Sequence, residues 1–224
     1  MAGVVVHLAV ADTVSERLGI KNEPLFYAGN IAPDCIHSRA NYNREMKKHT
    51  HFKDGLRDWQ FLLPENLSNF YRKLEEFAEN YCYVGDDREI CLGYLSHLIT
   101  DEFFMKTVRI ECIKEAEKVG IPQTDMRFFE FMMRELNWSD AFVAENFSFR
   151  NPPVETVRKA YGHGVRDYIF PEEIEDSNEW IYDNFFSGKK KYEKPVFMTP
   201  DVIYDFIGRA SEEVCERFES LVKI

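Results

Sequence analysis

Cysteine spacing of the kind that builds zinc knuckles is missing from this chain. The five cysteines (Cys35, Cys82, Cys91, Cys112, Cys215) are odd in number and contain no CxxC. That argues against a secreted disulfide framework and against a cysteine-ligated metal. Long apolar runs are also missing, and no stretch approaches the roughly 20 residues of a membrane-spanning helix. The apolar start "MAGVVVHLAV" has no basic leading segment and no obvious cleavage site. A reducing, cytoplasmic setting without stable membrane insertion is the expectation. Positive charge is scarce: 28 Lys and Arg stand against 39 Asp and Glu, a net charge of −11. An acidic surface repels phosphate backbones and anionic bilayers, so no nucleic-acid partner is expected. The one basic run, "GKKKYEK" at 188–194, is diluted by Glu193 and reads as a solvated loop.

Strand-like alternation, repeats and low-complexity segments are scarce as well, and helical periodicity fills most of the chain. "VVVHLAVADTVSERLG" predicts a first helix closed by Gly19. Residues 28–52 scatter Pro, Gly and Asn and read as a long irregular connection, which inside a compact domain is usually functional. Pro64 opens a helix to Tyr81, and a helical stretch from Asp86 or Asp87 to Gly120 is either one helix or two meeting near Phe103. Further helices are expected at 125–136, 152–162, 171–186 and 199–223. The expected architecture is one all-α domain, a multi-helix bundle over residues 1–224. Hydrophobic residues at 45%, with 19 Phe and 11 Tyr, are enough to fill such a bundle.

The segment "GYLSHLITDEFF" (93–104) breaks its own pattern. On a helix, Ile90, Tyr94, His97, Asp101, Phe104 or Met105, and Val108 share one stripe. All but two members are apolar or aromatic, so the stripe faces a core. A buried carboxylate without a partner costs several kcal/mol or gives up its charge. Asp101 therefore needs either His97 and nearby backbone, or a cation that uses the imidazole as well. His7 also sits in apolar surroundings, and the irregular segment adds Asp34, His37, His49 and His51. Imidazoles and carboxylates drawn from several elements are the ligand set that zinc and related ions prefer.

The order of these signals, "VHLAVAD", "YAGNIAPDCIHSR", "MKKHTHF" and "GYLSHLITDEFF", resembles the zinc-dependent phospholipase C family of bacteria, in particular its shorter, non-secreted relatives. The resemblance covers about the first 105 residues. It implies an all-α fold, shared with the related single-strand nucleases, that holds two or three zinc ions and hydrolyses phosphate esters. Carried over by position, it implies metal ligands at His7, Asp34, His51, His97 and Asp101, with His51 fitting better than His49. It implies metal-activated hydroxide attacking phosphorus, with Asp34 orienting the water. His37 and Arg39 are the candidates for holding a phosphate oxygen, since the guanidinium presents a planar donor fork. Tyr42, Trp59 and Phe103 are candidates for an apolar slot. The expected substrate is a small-molecule or lipid phosphate ester.

Two departures stand beside the resemblance. Secreted members carry a further histidine soon after the HxxxD and an HxxxE later, whereas the only histidine here after His97 is His163 in "GHGVRD", four residues before Asp167. Its flanking glycines make it a turn residue. A metal-binding protein of the same fold without turnover is therefore the alternative. An HD-type phosphohydrolase is set aside because no His is followed directly by Asp.

Overall fold

The computed structural model describes residues 2–83 and 87–222, so the candidate cap Asp86 lies outside the described residues. Helix α1 (Val4–Leu18) ends as expected at Gly19, whose φ of 61° is the left-handed conformation that closes helices. Then follow α2 (Glu23–Cys35), α3 (Arg44–Thr50), α4 (Pro64–Tyr81) and α5 (Arg88–Lys106). The second half holds α6 (Val108–Lys118), α7 (Arg127–Asn146), α8 (Pro153–Arg158), α9 (Pro171–Ile181) and α10 (Pro200–Leu221). Among the described residues there is no β-strand, only an isolated bridge between Val165 and Ile169. The fold is all-α. No described helix is long and apolar enough to cross a membrane.

The segment expected to be irregular, 28–52, is largely helical. Asn22 caps α2 by accepting from the Leu25 N–H, Pro24 sits in its first turn, and the helix runs through Gly29, Asn30 and Pro33 to Cys35. Local propensity loses here to packing. A Cβ on Gly29 would fall 1.9 Å from the Ile90 carbonyl oxygen, and one on Gly93 would fall 2.0 Å from that of Phe26. The α2 and α5 backbones therefore touch, and both helices are buried nearly all round. A short helical turn at 36–38, the bend at 39–43 and the turn at 51–52 remain of the predicted loop.

The long 87–120 segment is two helices, with the break at Thr107 rather than Phe103. The Thr107 hydroxyl donates back to the Phe103 carbonyl at 2.6 Å, and its backbone leaves helical geometry. Helix α7 runs ten residues past the expected end, and its Asp140 does the work of a cap for α1. The Asp140 carboxylate accepts from the N–H groups of Val4, Val5 and Val6 at 2.9, 2.8 and 3.1 Å. Those are donors that a helix start leaves free, and a negative charge suits them. Helix α1 packs on α2, α10 and α7, and α5 packs on α2, α10, α6 and α4.

Replacing Gly93 by Ala forces a methyl group into backbone that has no flexible atom to yield. The expected loss is at least about 3 kcal/mol of unfolding free energy, measured by urea titration. The same change at Gly208, where nothing lies within 4 Å, should be nearly neutral.

Candidate metal centre

Four elements deliver five side chains to one buried place. His7 comes from α1, Asp34 from the last turn of α2, His51 from the residue capping α3, and His97 and Asp101 from α5. His51 is aimed by the turn that follows it, where Phe52 takes a φ of 56° and wedges its ring against Phe77, Tyr94 and Tyr168. Asp34 is helical rather than in a loop. His7, His51, His97 and Asp101 are almost wholly buried, whereas the Asp34 side chain keeps 20% of its exposure and is the one that reaches solvent.

The imidazoles are locked by their outer nitrogens. His97 Nδ1 lies 2.8 Å from the Asn30 carbonyl and His51 Nδ1 lies 2.8 Å from the Lys47 carbonyl. A carbonyl only accepts, so each Nδ1 carries the hydrogen and each neutral ring turns a bare Nε2 inward. Those two Nε2 atoms face each other at 3.3 Å. Asp34 Oδ1 is 3.3 Å from His51 Nε2, and Asp101 Oδ2 is 3.7 Å from the same atom and 4.0 Å from His97 Nε2. His7 stacks on the His97 ring at 3.8 Å and sets Nε2 3.2 Å from Asp101 Oδ1. Asp101 Oδ1 also accepts from the Ala2 N–H at 3.0 Å, while among the described residues Oδ2 accepts no hydrogen bond and His7 Nδ1 has no hydrogen-bond partner.

Burial holds both His97 and His51 below the ordinary histidine range, so they favour the neutral form. Burial opposes ionisation of Asp34 and Asp101, but nearby positive charge overcomes it and both stay well below the usual carboxylate range. For Asp34 this comes chiefly from Lys47; for Asp101 the amino-terminal charge leads, followed by the His7 hydrogen bond, with Lys53 contributing less. Convergent lone pairs and carboxylate oxygens repel one another in a dry site unless a cation sits among them. Two overlapping sets, His7 with His97 and Asp101, and Asp34 with His51 and His97, have ligand atoms close enough to hold a metal ion. The donor set fits zinc.

Other sequence candidates fall elsewhere. His49 is exposed and pairs with Asp54 at 2.9 Å. The Arg39 fork is committed to Glu173, with Nε and Nη2 at 2.5 and 3.0 Å, and Nη2 also donates to the Tyr168 carbonyl. It is therefore not free for a phosphate. His37 Nε2 accepts from the Lys47 ammonium at 3.0 Å, and its ring leans on Tyr42. Phe103 packs on Phe206 of α10, and Trp59 is exposed. His163 stands in an exposed turn, 3.4 Å from Asp87. Two lysines that the ligand pattern does not single out also reach the site: Lys47, 2.7 Å from Asp34 Oδ1, and Lys53, 4.0 Å from Asp101 Oδ2. Lys47 lies one turn before His51, a spacing visible in "KKHTH".

The sign of the acid response follows from these shifts. Below the ordinary histidine value of 6.5 an unfolded chain gains protons on His51 and His97 that the native one refuses. Near and below the ordinary aspartate value of 3.8 the same holds for Asp34 and Asp101. These four groups therefore each lower stability as pH falls, while Asp140, which burial pushes up to about 7, acts in the opposite direction below that value. Between about pH 7.5 and about pH 5 the metal-free His97→Gln variant should lose less melting temperature, or gain more, than the metal-free wild type. An equal slope in the variant would count against the buried neutral imidazole.

A family model described as zinc dependent phospholipase C matches residues 6–197. No curated protein and no solved structure matches the chain. The matched span takes in all five convergent side chains and Asp140 besides. Family, helical fold and donor set agree, and the chain belongs to the zinc-dependent phospholipase C family.

Proposed function

We propose that the protein is a metal-dependent phosphoesterase that holds two zinc ions through His7, Asp34, His51, His97 and Asp101. The observation that carries this reading is the pair of bare imidazole nitrogens, 3.3 Å apart, beside two ionised carboxylates. His97 is common to both ligand sets, and Asp101 would offer Oδ1 beside His7 and Oδ2 towards His51 and His97. Bound ions supply acidity to water and positive charge for the phosphoryl oxygens. The protein residues supply the rest. Asn30 and Lys47 carbonyls fix the two rings so that their nitrogens need no reorganisation. Asp34, the solvent-reaching carboxylate, takes a hydrogen bond from the attacking water and orients it.

The substrate in this reading is a small-molecule or lipid phosphate ester. Nucleic acid is left out because of the net charge of −11. The five cysteines, all unpaired, support a reducing, cytoplasmic setting.

A second reading is a metal-binding protein of this fold without turnover. It is favoured by the lack of any histidine in α6 or α7, where α7 turns Asp140 to the start of α1 instead. The two readings separate in one set of measurements on untagged protein. Elemental analysis should find zinc, and a chromogenic phosphodiester should be cleaved until a chelator is added. Asp34→Ala should lower kcat at least about 100-fold. Zinc that raises the melting temperature while no ester in a broad panel turns over would establish the binding protein instead.

A further inference from the structure

Lys53 is a cation without an adequate partner. Its side chain is only 12% exposed, yet its ammonium makes no hydrogen bond among the described residues. Its neighbours are the Phe61 ring at 4.4 Å and Asp101 Oδ2 at 4.0 Å. Lys47 is similarly enclosed, 15% exposed, with Nζ on Asp34 Oδ1 at 2.7 Å and on His37 Nε2 at 3.0 Å. Each ammonium thus stands against one of the two carboxylates of the candidate metal centre. In this state Lys47 is the main charge that offsets Asp34, and Lys53 adds to those that offset Asp101.

Metal changes that balance. A divalent ion held by the carboxylate oxygens would bring its own charge, so both lysines would lose their counter-ion while still shut away from bulk water. Enclosed ammonium groups in that position require an anion. We propose that Lys47 and Lys53 are counter-cations of the metal-free centre that metal displaces, and that they then hold the oxygens of a dianionic phosphate, a phosphate monoester or released inorganic phosphate. This rests on the metal reading of the site and adds two substrate-binding residues and a charge class to it. Lysine suits the role, since its three donors swing on a flexible stem and follow an oxygen from one position to another. The alternative is a pair of structural ion bridges that metal leaves undisturbed.

Two titrations decide between them. Zinc is titrated into metal-free wild type, Lys47→Met and Lys53→Met in competition with a chromophoric chelator, and inorganic phosphate is titrated calorimetrically into each zinc-loaded protein. Both variants should bind zinc more tightly, by at least about fivefold, because a competing positive charge has gone. Both should bind phosphate at least about tenfold more weakly, because a charge-assisted hydrogen bond is lost. Lys53→Arg, which retains charge and length, should keep phosphate affinity within about threefold of wild type. Zinc uptake by the wild type with unchanged phosphate affinity in both Met variants overturns this proposal alone. A wild type that takes up no zinc overturns the metal reading, and this proposal with it. Melting curves identify any variant that fails to fold, and the Arg variant then carries the phosphate arm by comparison with wild type.

Discussion

The contact between α2 and α5 at Gly29 and Gly93 is the constraint on which the rest of the molecule depends. With no Cβ at either position, backbone meets backbone, and polar groups one to four residues away come into register. The Asn30 carbonyl reaches His97 Nδ1, and the Asn30 amide reaches the Ser96 hydroxyl at 3.0 Å. A helix pair held apart by ordinary side chains sits 8–10 Å between axes, and at such a distance the same carbonyl falls short of the same imidazole. The ring would be free to turn, and the inward lone pair of Nε2 would no longer be defined. Close packing here is the means by which the fold selects a tautomer.

That contact also accounts for what could and could not be read from the residues alone. The HxxxD stripe on α5 was legible because two polar residues in an apolar helix have few physical explanations. The convergence of His7, Asp34 and His51 on it came from likeness to a family, since spacing alone cannot bring α1 and α3 to α5. The helical course of residues 28–35 was hidden, because Gly29, Asn30 and Pro33 each argue locally for a turn and only the partner helix reverses them. The break at Thr107 depends on a hydroxyl turning back four residues, which the sequence permits at many threonines and requires at none. Arg39 was misjudged for a related reason: its carboxylate partner, Glu173, lies 134 residues away.

The lysines show the same limit from the other side. In "MKKHTHFKD" the histidines carry the ligand pattern, and nothing in the spacing alone separates its lysines from surface charge. In a chain of net charge −11 they stand out. Arg44, Lys47, Lys48, Lys53 and Arg57 outnumber Glu45 and Asp54 within a stretch of fourteen residues, 44–57. This stretch includes α3 and the turn that bears His51, so it lies beside the centre. On the proposed reading, this local excess of positive charge in an acidic chain would guide a phosphate towards the centre, and low-dielectric walls would sharpen the field.

An acidic protein that acts on phosphate esters is then less of a contradiction than composition suggests. Net charge sets long-range behaviour, which salt screens within about 10 Å. What decides binding is the charge within a few ångströms of the ligand, and here it is set by four side chains: Asp34, Asp101, Lys47 and Lys53. The carboxylates need the lysines, or a metal, to stay ionised under burial. The lysines need the carboxylates, or an anion, for the same reason. On the proposed reading, one divalent ion and one dianion entering together would leave the sum of these charges unchanged, whereas a second divalent ion would leave a positive surplus that further anionic groups must meet. Metal and phosphate would then favour each other's binding through charge compensation in a buried space, without requiring any helix to move.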